Sequence, residues 1–237
     1  MSRSAIIVAG HAVLQHFSDP SDWANWVLLD FQLNEVPCYI EHVRRGVELA
    51  ATNPEAILLL AGGQSRAEAG PRSEALSYHC VAEHYEWFGH PEVAARTYLE
   101  EFSRDSFENL LFGICRFREI TGAWPADVTL VSWEFKRERF TMHREAIGWP
   151  EERFHYDGPN NPPDLAQAQA SEVQARERYR EDPYSNGPEL HAKRAGRNPF
   201  HRVHGYRTSS PELAPLFDHK GPGRYRDTLP WQRTELP

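Results

Sequence analysis

Ala56-Ile57-Leu58-Leu59-Leu60-Ala61-Gly62-Gly63 is the stretch that decides how this chain folds. An unbroken apolar run with no polar alternation reads as a strand buried on both faces, the mark of a parallel sheet covered by helices on each side. The paired glycines end it. Upstream, Ala5–Ala9 repeats the pattern; downstream it recurs at Val128–Trp133, more weakly at Arg153–Tyr156, and as a short candidate at Thr97–Leu99. Between these runs the apolar residues keep a spacing of three to four: Ile40, Val43, Val47 and Ala50, then Ala75, Tyr78, Ala82 and Tyr85, then Leu110, Ile114 and Phe117. Strand and helix alternate. The expected fold is therefore α/β, a Rossmann-like, doubly wound and mostly parallel sheet of about five strands with helices on both faces and right-handed crossovers.

Beyond Tyr156 the composition changes. Gly158-Pro159-Asn160-Asn161-Pro162-Pro163 is a breaker cluster, and an alanine-, glutamine- and arginine-rich helix is expected from about Leu165 to Arg180. Eleven of the 18 prolines lie after residue 158, and Asn186-Gly187-Pro188, Arg197-Asn198-Pro199-Phe200 and Gly221-Pro222-Gly223 interrupt any periodicity. This tail still carries Phe200, Tyr206, Leu213, Leu216, Phe217, Tyr225 and Trp231. Aromatics at that density argue against disorder. The reading is a Rossmann-like domain over residues 1–157 and a long C-terminal arm over 158–237, a helix plus an extended Pro-rich segment that wraps the core and buries its aromatics there.

The charge balance excludes some function classes. Net charge is −8, which disfavours nucleic-acid binding, since that needs a basic face. The charge is uneven: residues 1–157 carry 14 Lys and Arg against 24 Asp and Glu, whereas 158–237 carry 12 against 10. Attraction between a cationic arm and an acidic core follows. The apolar runs fall well short of the ~20 residues that cross a bilayer, and the first is too short for the ~7–15 residue apolar region of a secretory signal. No membrane partner and a cytoplasmic location are expected. Cys38, Cys80 and Cys115 are odd in number and far apart, so buried thiols are expected, with neither a disulfide framework nor a metal site. His79/His84 and His201/His204 lack ligand spacing, and no metal is required on this reading.

Ligands of an open parallel sheet gather beyond the carboxyl ends of its strands. Three segments qualify. The first is Gly10-His11-Ala12. The second is Gly62-Gly63-Gln64-Ser65-Arg66, leading to Ser73-Glu74 at a helix start. The third runs from Ser103 to Asn109 and includes Arg104, Asp105, Ser106 and Glu108. Paired glycines let backbone N–H groups approach an anion, and Ser65 and Arg66 add donors. A tight turn without ligand explains the glycines equally well. Ser103 or Asp105 can cap a helix and Glu108 complete the cap, which leaves Arg104 and Asn109 unexplained. His11 is the natural proton-transfer group, because imidazole titrates near neutrality; a simple hydrogen-bonding role is the alternative. There is no GxGxxG, P-loop or GxSxG motif.

Leu60-Ala61-Gly62-Gly63, Ser73-Glu74-Ala75, Glu100-Glu101-Phe102-Ser103-Arg104-Asp105-Ser106-Phe107-Glu108-Asn109 and Val131-Ser132 follow one another in an order that resembles the SanA/YdcF/ElyC-like family of unknown function over residues 5–150. Glu134–Phe140, Asp182-Pro183-Tyr184, Lys193-Arg194 and Arg197–Phe200 resemble its fungal-type, cytosolic branch. The resemblance implies a strand-end pocket formed by Gly62, Gly63, Glu74, Glu100, Ser103, Ser106, Glu108, Asn109, Ser132 and Arg139, and S-adenosylmethionine as one candidate ligand. Ser106 replaces the usual threonine. Lys136 stands where bacterial members commonly carry histidine, which makes this pocket more cationic.

With Arg66, Arg104, Lys136 and Arg139 near one site, a small anionic partner is expected, nucleotide-like or phosphorylated. The catalytic candidates are His11, Glu74 and Glu100, with amides near Gly62-Gly63 and Arg104/Arg139 holding the anion. A non-catalytic sensor of a nucleotide or S-adenosylmethionine, and an interaction module using the arm, remain open alternatives.

Overall fold

The computed structural model describes residues 4–220 and 223–233, so Gly221 and Pro222 of the last breaker cluster lie outside the described residues. Five parallel strands form the main sheet: β1 (Ser4–Ala9), β4 (Ala56–Ala61), β5 (Thr97–Glu100), β6 (Asp127–Val131) and β7 (Phe154–Asp157), in the order β5-β4-β1-β6-β7. Val8 pairs with Leu60 on one side and with Val131 on the other. Every residue of β4 is buried, as are Ala5–Ala9 of β1. Burial on both faces is the reason these runs are continuously apolar. The short candidate at residues 97–99 is the edge strand β5. Ser132 and Trp133, expected at the end of a strand, instead follow β6 as irregular backbone.

Between the strands lie β2 (Val13–Leu14), β3 (Trp26–Val27), α1 (Val36–Thr52), α2 (Glu74–His84), α3 (Ser106–Thr121) and α4 (Arg137–Ala146). Helices α1 and α2 cover one face, burying Tyr39, Val43, Val47, Tyr78 and Ala82 against Ile6, Val8, Leu58 and Leu60. Helices α3 and α4 cover the other, where Ile114, Phe117 and Phe140 meet Ile7 and Leu59. The alternating side chains of one strand thus feed two cores, and the doubly wound α/β fold follows. The antiparallel pair β2–β3, too short for periodicity to reveal, forms a small flap beside the sheet.

The chain leaves β1 for β4, works outward to β5, and then crosses back to β6, on the opposite side of β1. The carboxyl ends of β1 and β6 are therefore the place where the winding reverses, and a crevice opens there for geometric reasons.

After β7 come α5 (Leu165–Glu181), α6 (Pro188–Gly196), α7 (Tyr206–Ser209) and α8 (Ala214–Asp218). The arm is more helical than its proline content suggests, because the prolines sit at the first turns of α6 and α8, where no helical N–H is lost. Tyr184, Leu190, Tyr206, Leu213, Leu216 and Trp231 enter the core that α3 and α4 line. Tyr184 Oη donates to the Ala146 carbonyl at 2.8 Å, Trp231 Nε1 to the Ile147 carbonyl at 2.8 Å, and Tyr206 Oη to Glu100 at 2.9 Å. Each ring buries its body and spends its polar atom on the core. Phe200 departs from the expected burial and stays 37% exposed. Of the cysteines only Cys115 is buried; Cys38 and Cys80 are half-buried. No helix among the described residues is long and apolar enough to cross a membrane.

Candidate functional site

At the winding reversal lies a cleft of about 290 Å³. Its floor is set by Gly10 and Glu74, with Gly62 packed behind Glu74. Gly10 N donates to the Ala61 carbonyl at 2.6 Å, which ties the ends of β1 and β4 together. A side chain at either glycine would strike the Glu74 carboxyl: an added Cβ would lie 2.9 Å from Oε2 at Gly10 and 2.7 Å at Gly62. Ser73 caps α2 by accepting from Leu76 N and donates to Glu101 at 2.7 Å, so the first turn of α2 is fixed and Glu74 projects into the cleft. Burial raises the Glu74 pKa; the Ser65 hydroxyl, which donates to Oε1, and Arg197, Arg66 and Lys136 oppose that shift.

His11 lines the cleft beside it. The ring stacks on Trp133 at 5.7 Å and meets His42 edge-on at 5.3 Å, and its Nε2 lies 3.3 Å from Ser132 Oγ. Burial, followed by the nearby charges of Lys136 and other cations, holds its pKa well below the ordinary value. The imidazole is neutral at pH 7 and brings no proton, and its basicity recovers only where an anion offsets the cations around it.

The two expected anchors of an anion are already committed. Arg104 grips Glu108 through Nε at 2.9 Å and Nη2 at 2.5 Å. Arg139 forms a two-point pair with Glu172, whose carboxylate is 3% exposed. The glycine amides are likewise spent: Gly62 N donates to the Glu100 carbonyl at 2.9 Å and Gly63 N to the Ser103 carbonyl at 2.7 Å. This corrects the expectation that Gly62-Gly63 and Arg104/Arg139 hold a ligand. An added Cβ at Gly63 would lie 2.6 Å from the Ser103 carbonyl oxygen, so that glycine serves the close approach of two loops.

The cations that remain are Arg66, Lys136, Lys193 and Arg197. All four line the cleft, and none forms an ion pair among the described residues. Arg66 Nε is buried without a hydrogen-bond partner. Lys136, half-buried over the Phe135 ring, has its pKa pushed down to about 7, first by desolvation and then by Arg139. Lys193 and Arg197 belong to the arm, which with α5 and α6 forms one whole wall of the cleft. Arg197 donates to the Arg104 carbonyl at 3.1 Å.

Of the other expected residues, Ser103, Arg104, Ser106, Asn109 and Arg139 reach the cleft, whereas Gly62, Gly63, Ser65, Glu108 and Ser132 stand behind it. Ser103 Oγ donates to Asn109 at 2.7 Å, and Ser106 Oγ lies 2.8 Å from Nε2 of the buried His143. Glu100, expected among the catalytic groups, is fully buried outside the cleft, where it accepts from Phe102 N, Ser103 N and Tyr206 Oη. Burial pushes its pKa up to about 7, and its lone pairs brace the loop that carries Ser103.

Sequence reasoning missed Glu35, Glu172, Lys193 and Arg197. Glu35 accepts from Tyr39 Oη at 2.6 Å, and burial raises its pKa. The spacing of Lys193 and Arg197, one helical turn apart in an arm of net positive charge, was the available signal for those two. Among the described residues no group of His, Cys, Asp and Glu is arranged to hold a metal ion.

The chain is similar to an uncharacterized protein of Saccharomyces cerevisiae, YOR238W: 27% of 262 aligned positions are identical, spanning 85% of each chain. No protein-family model matches it, and no solved structure does either.

Proposed function

We propose that this chain is a cytoplasmic enzyme that binds a small phosphorylated or nucleotide-like molecule at the carboxyl ends of β1, β4 and β6 and acts on it through Glu74 and His11. The observation that carries the reading is the set of unpaired cations, Arg66, Lys136, Lys193 and Arg197, around a desolvated carboxyl and a neutral imidazole. Four cations that share one cleft without a carboxylate in ion-pair contact repel one another, most of all where Arg66 Nε is buried without a partner, and an anion offsets that repulsion. Glu74, protonated to a higher pH than a solvated carboxyl, gives a proton to a departing oxygen; neutral His11 takes one from the attacking group. The exposed Leu29 and Phe31 at the cleft edge, with Trp133 within it, offer apolar surface to a base or similar ring. Kinship with the fungal-type branch of the SanA/YdcF/ElyC-like family belongs to the same proposal and rests on the motifs at Gly62-Gly63, Ser73-Glu74-Ala75 and Ser103–Asn109.

The test is a thermal-shift screen of nucleotides, sugar phosphates and S-adenosylmethionine, followed by phosphorus NMR of each stabilising phosphorylated compound incubated with the protein. Glu74→Gln is expected to keep binding and to lose ~10²–10⁴-fold in turnover. Binding without conversion by the wild type would instead make the protein a sensor, and no binding of any phosphorylated compound would overturn the reading.

A further inference from the structure

The unpaired cations come in two pairs, from opposite walls. Arg66, after β4, and Lys136, ahead of α4, stand on the sheet side; Lys193 and Arg197 stand on and just after α6 of the arm. Lys193 and Arg197 are four residues apart, on one face of a helix, where like charges repel by a few tenths of a kcal/mol. The fold uses only one of the two, Arg197, which donates to the Arg104 carbonyl at 3.1 Å; Lys193 makes no hydrogen bond or ion pair among the described residues. Arg194, between them and turned to α3, holds α6 in place by pairing with Asp105 at 2.8 Å and Glu108 at 3.2 Å. The helix is therefore fixed with its cationic face toward the cleft.

A ligand with a single phosphate carries at most two negative charges and would leave two of the four cations without a counter-charge. S-adenosylmethionine adds a sulfonium and an ammonium, both of the sign the cleft already holds. Building on the reading that this cleft takes a phosphorylated molecule, we infer that its ligand carries two linked phosphates, a diphosphate ester such as a nucleoside diphosphate, with one phosphate held by Arg66 and Lys136 and the other by Lys193 and Arg197. The arm then determines specificity: the sheet side binds any phosphate, and α6 selects the second.

Calorimetric titration of the full chain with orthophosphate, pyrophosphate, AMP and ADP tests this. Pyrophosphate and ADP are expected to bind at least about tenfold more tightly than orthophosphate and AMP. Lys193→Ala and Arg197→Ala should each weaken pyrophosphate and ADP more than orthophosphate and AMP and so remove most of that preference, whereas Lys136→Ala should weaken all four. Because Lys193 has no partner to lose, its variant separates ligand recognition from folding. Equal binding of mono- and diphosphates by the wild type, or an unchanged preference in Lys193→Ala, overturns the assignment to diphosphates while leaving an anion site in place. Failure of all four to bind overturns this inference together with the phosphate reading on which it rests.

Discussion

The two walls of the cleft are held in different ways. The sheet wall is fixed by backbone hydrogen bonds between adjacent loops, Gly10 to Ala61, Gly62 to Glu100 and Gly63 to Ser103, at 2.6 to 2.9 Å, and by strands that are almost wholly buried. The arm wall is fixed near the cleft by side-chain charges: Arg194 on Asp105 and Glu108, Glu172 on Arg139, and Arg197 on the Arg104 carbonyl. Backbone bonding along a sheet is cooperative and indifferent to side chains, whereas an ion pair at a buried rim fails as soon as one partner goes. One wall is part of the sheet, and the other, anchored farther off by buried rings, is held at the cleft by a handful of charges. That difference locates where the site is open to perturbation.

The largest effect should come from Asp105→Ala. It takes from the Arg194 guanidinium, whose side chain is 11% exposed, the nearer of its two carboxylate partners, and removes the N-cap of α3 that accepts from Glu108 N at 2.8 Å. A loss of about 3–5 kcal/mol in denaturant unfolding is expected, with new protease cuts at residues 182–187 and none in the sheet wall. Equal loosening of both walls would break the contrast.

Acid should act on both walls through buried histidines. His42 and His143 have pKa values lowered to about 3 by desolvation, so each is neutral in the fold and protonated at 6.5 once unfolded. For a base whose folded pKa is depressed, the stability is present above the unfolded value and drains away as pH falls below it. Each should therefore remove up to about 1.4 kcal/mol per pH unit below 6.5. Unfolding midpoints between pH 7 and 5 measure this, and His143→Gln should flatten the slope. Asp105, held well below the usual carboxylate range by Arg194 against the opposing effect of burial, should add to the loss only below the ordinary carboxylate pKa.

Anion binding should titrate with Lys136. Its pKa of about 7 in the empty cleft rises when an anion arrives, so binding takes up a proton and affinity falls as pH climbs above 7, by up to about tenfold per unit. Titrations with pyrophosphate between pH 6 and 9, compared with the variant to cancel the ionisation of pyrophosphate itself, read this, and Lys136→Arg should remove the part of the fall centred near 7 while leaving that of Lys193, whose pKa burial lowers to about 8.

The smallest effect is that of Ser65→Ala, which deletes the hydroxyl that donates to Glu74. About 1 kcal/mol of stability should be lost. The Glu74 pKa should rise further, shifting the limb of any activity profile that depends on its ionised form to higher pH.

Much of this was legible before folding was considered. Continuous apolar runs at Ala5–Ala9 and Ala56–Ala61 dictate a sheet covered on both faces, because no other arrangement hides them. The rule that ligands collect at strand ends then brings His11, Arg66, Glu74 and Lys136 to one cleft, as observed. Sequence could not say which charges would be neutralised. Glu172 lies 33 residues from Arg139, and Arg194 lies 89 from Asp105. Glu100 looked like an acid in a site because its partners, two backbone N–H groups and a tyrosine 106 residues away, meet it only in the folded chain.

Sequence alone therefore determined the α/β sheet, the end of it where a site forms, and the polar residues that the strand-end loops deliver. Tertiary structure alone decided which of those residues stay free to act: it spent Arg104, Arg139 and the glycine amides on internal partners and brought Lys193 and Arg197 in from the arm. Apolar burial depends on local pattern, which a chain displays residue by residue, whereas ion pairing depends on which groups from distant segments meet out of water.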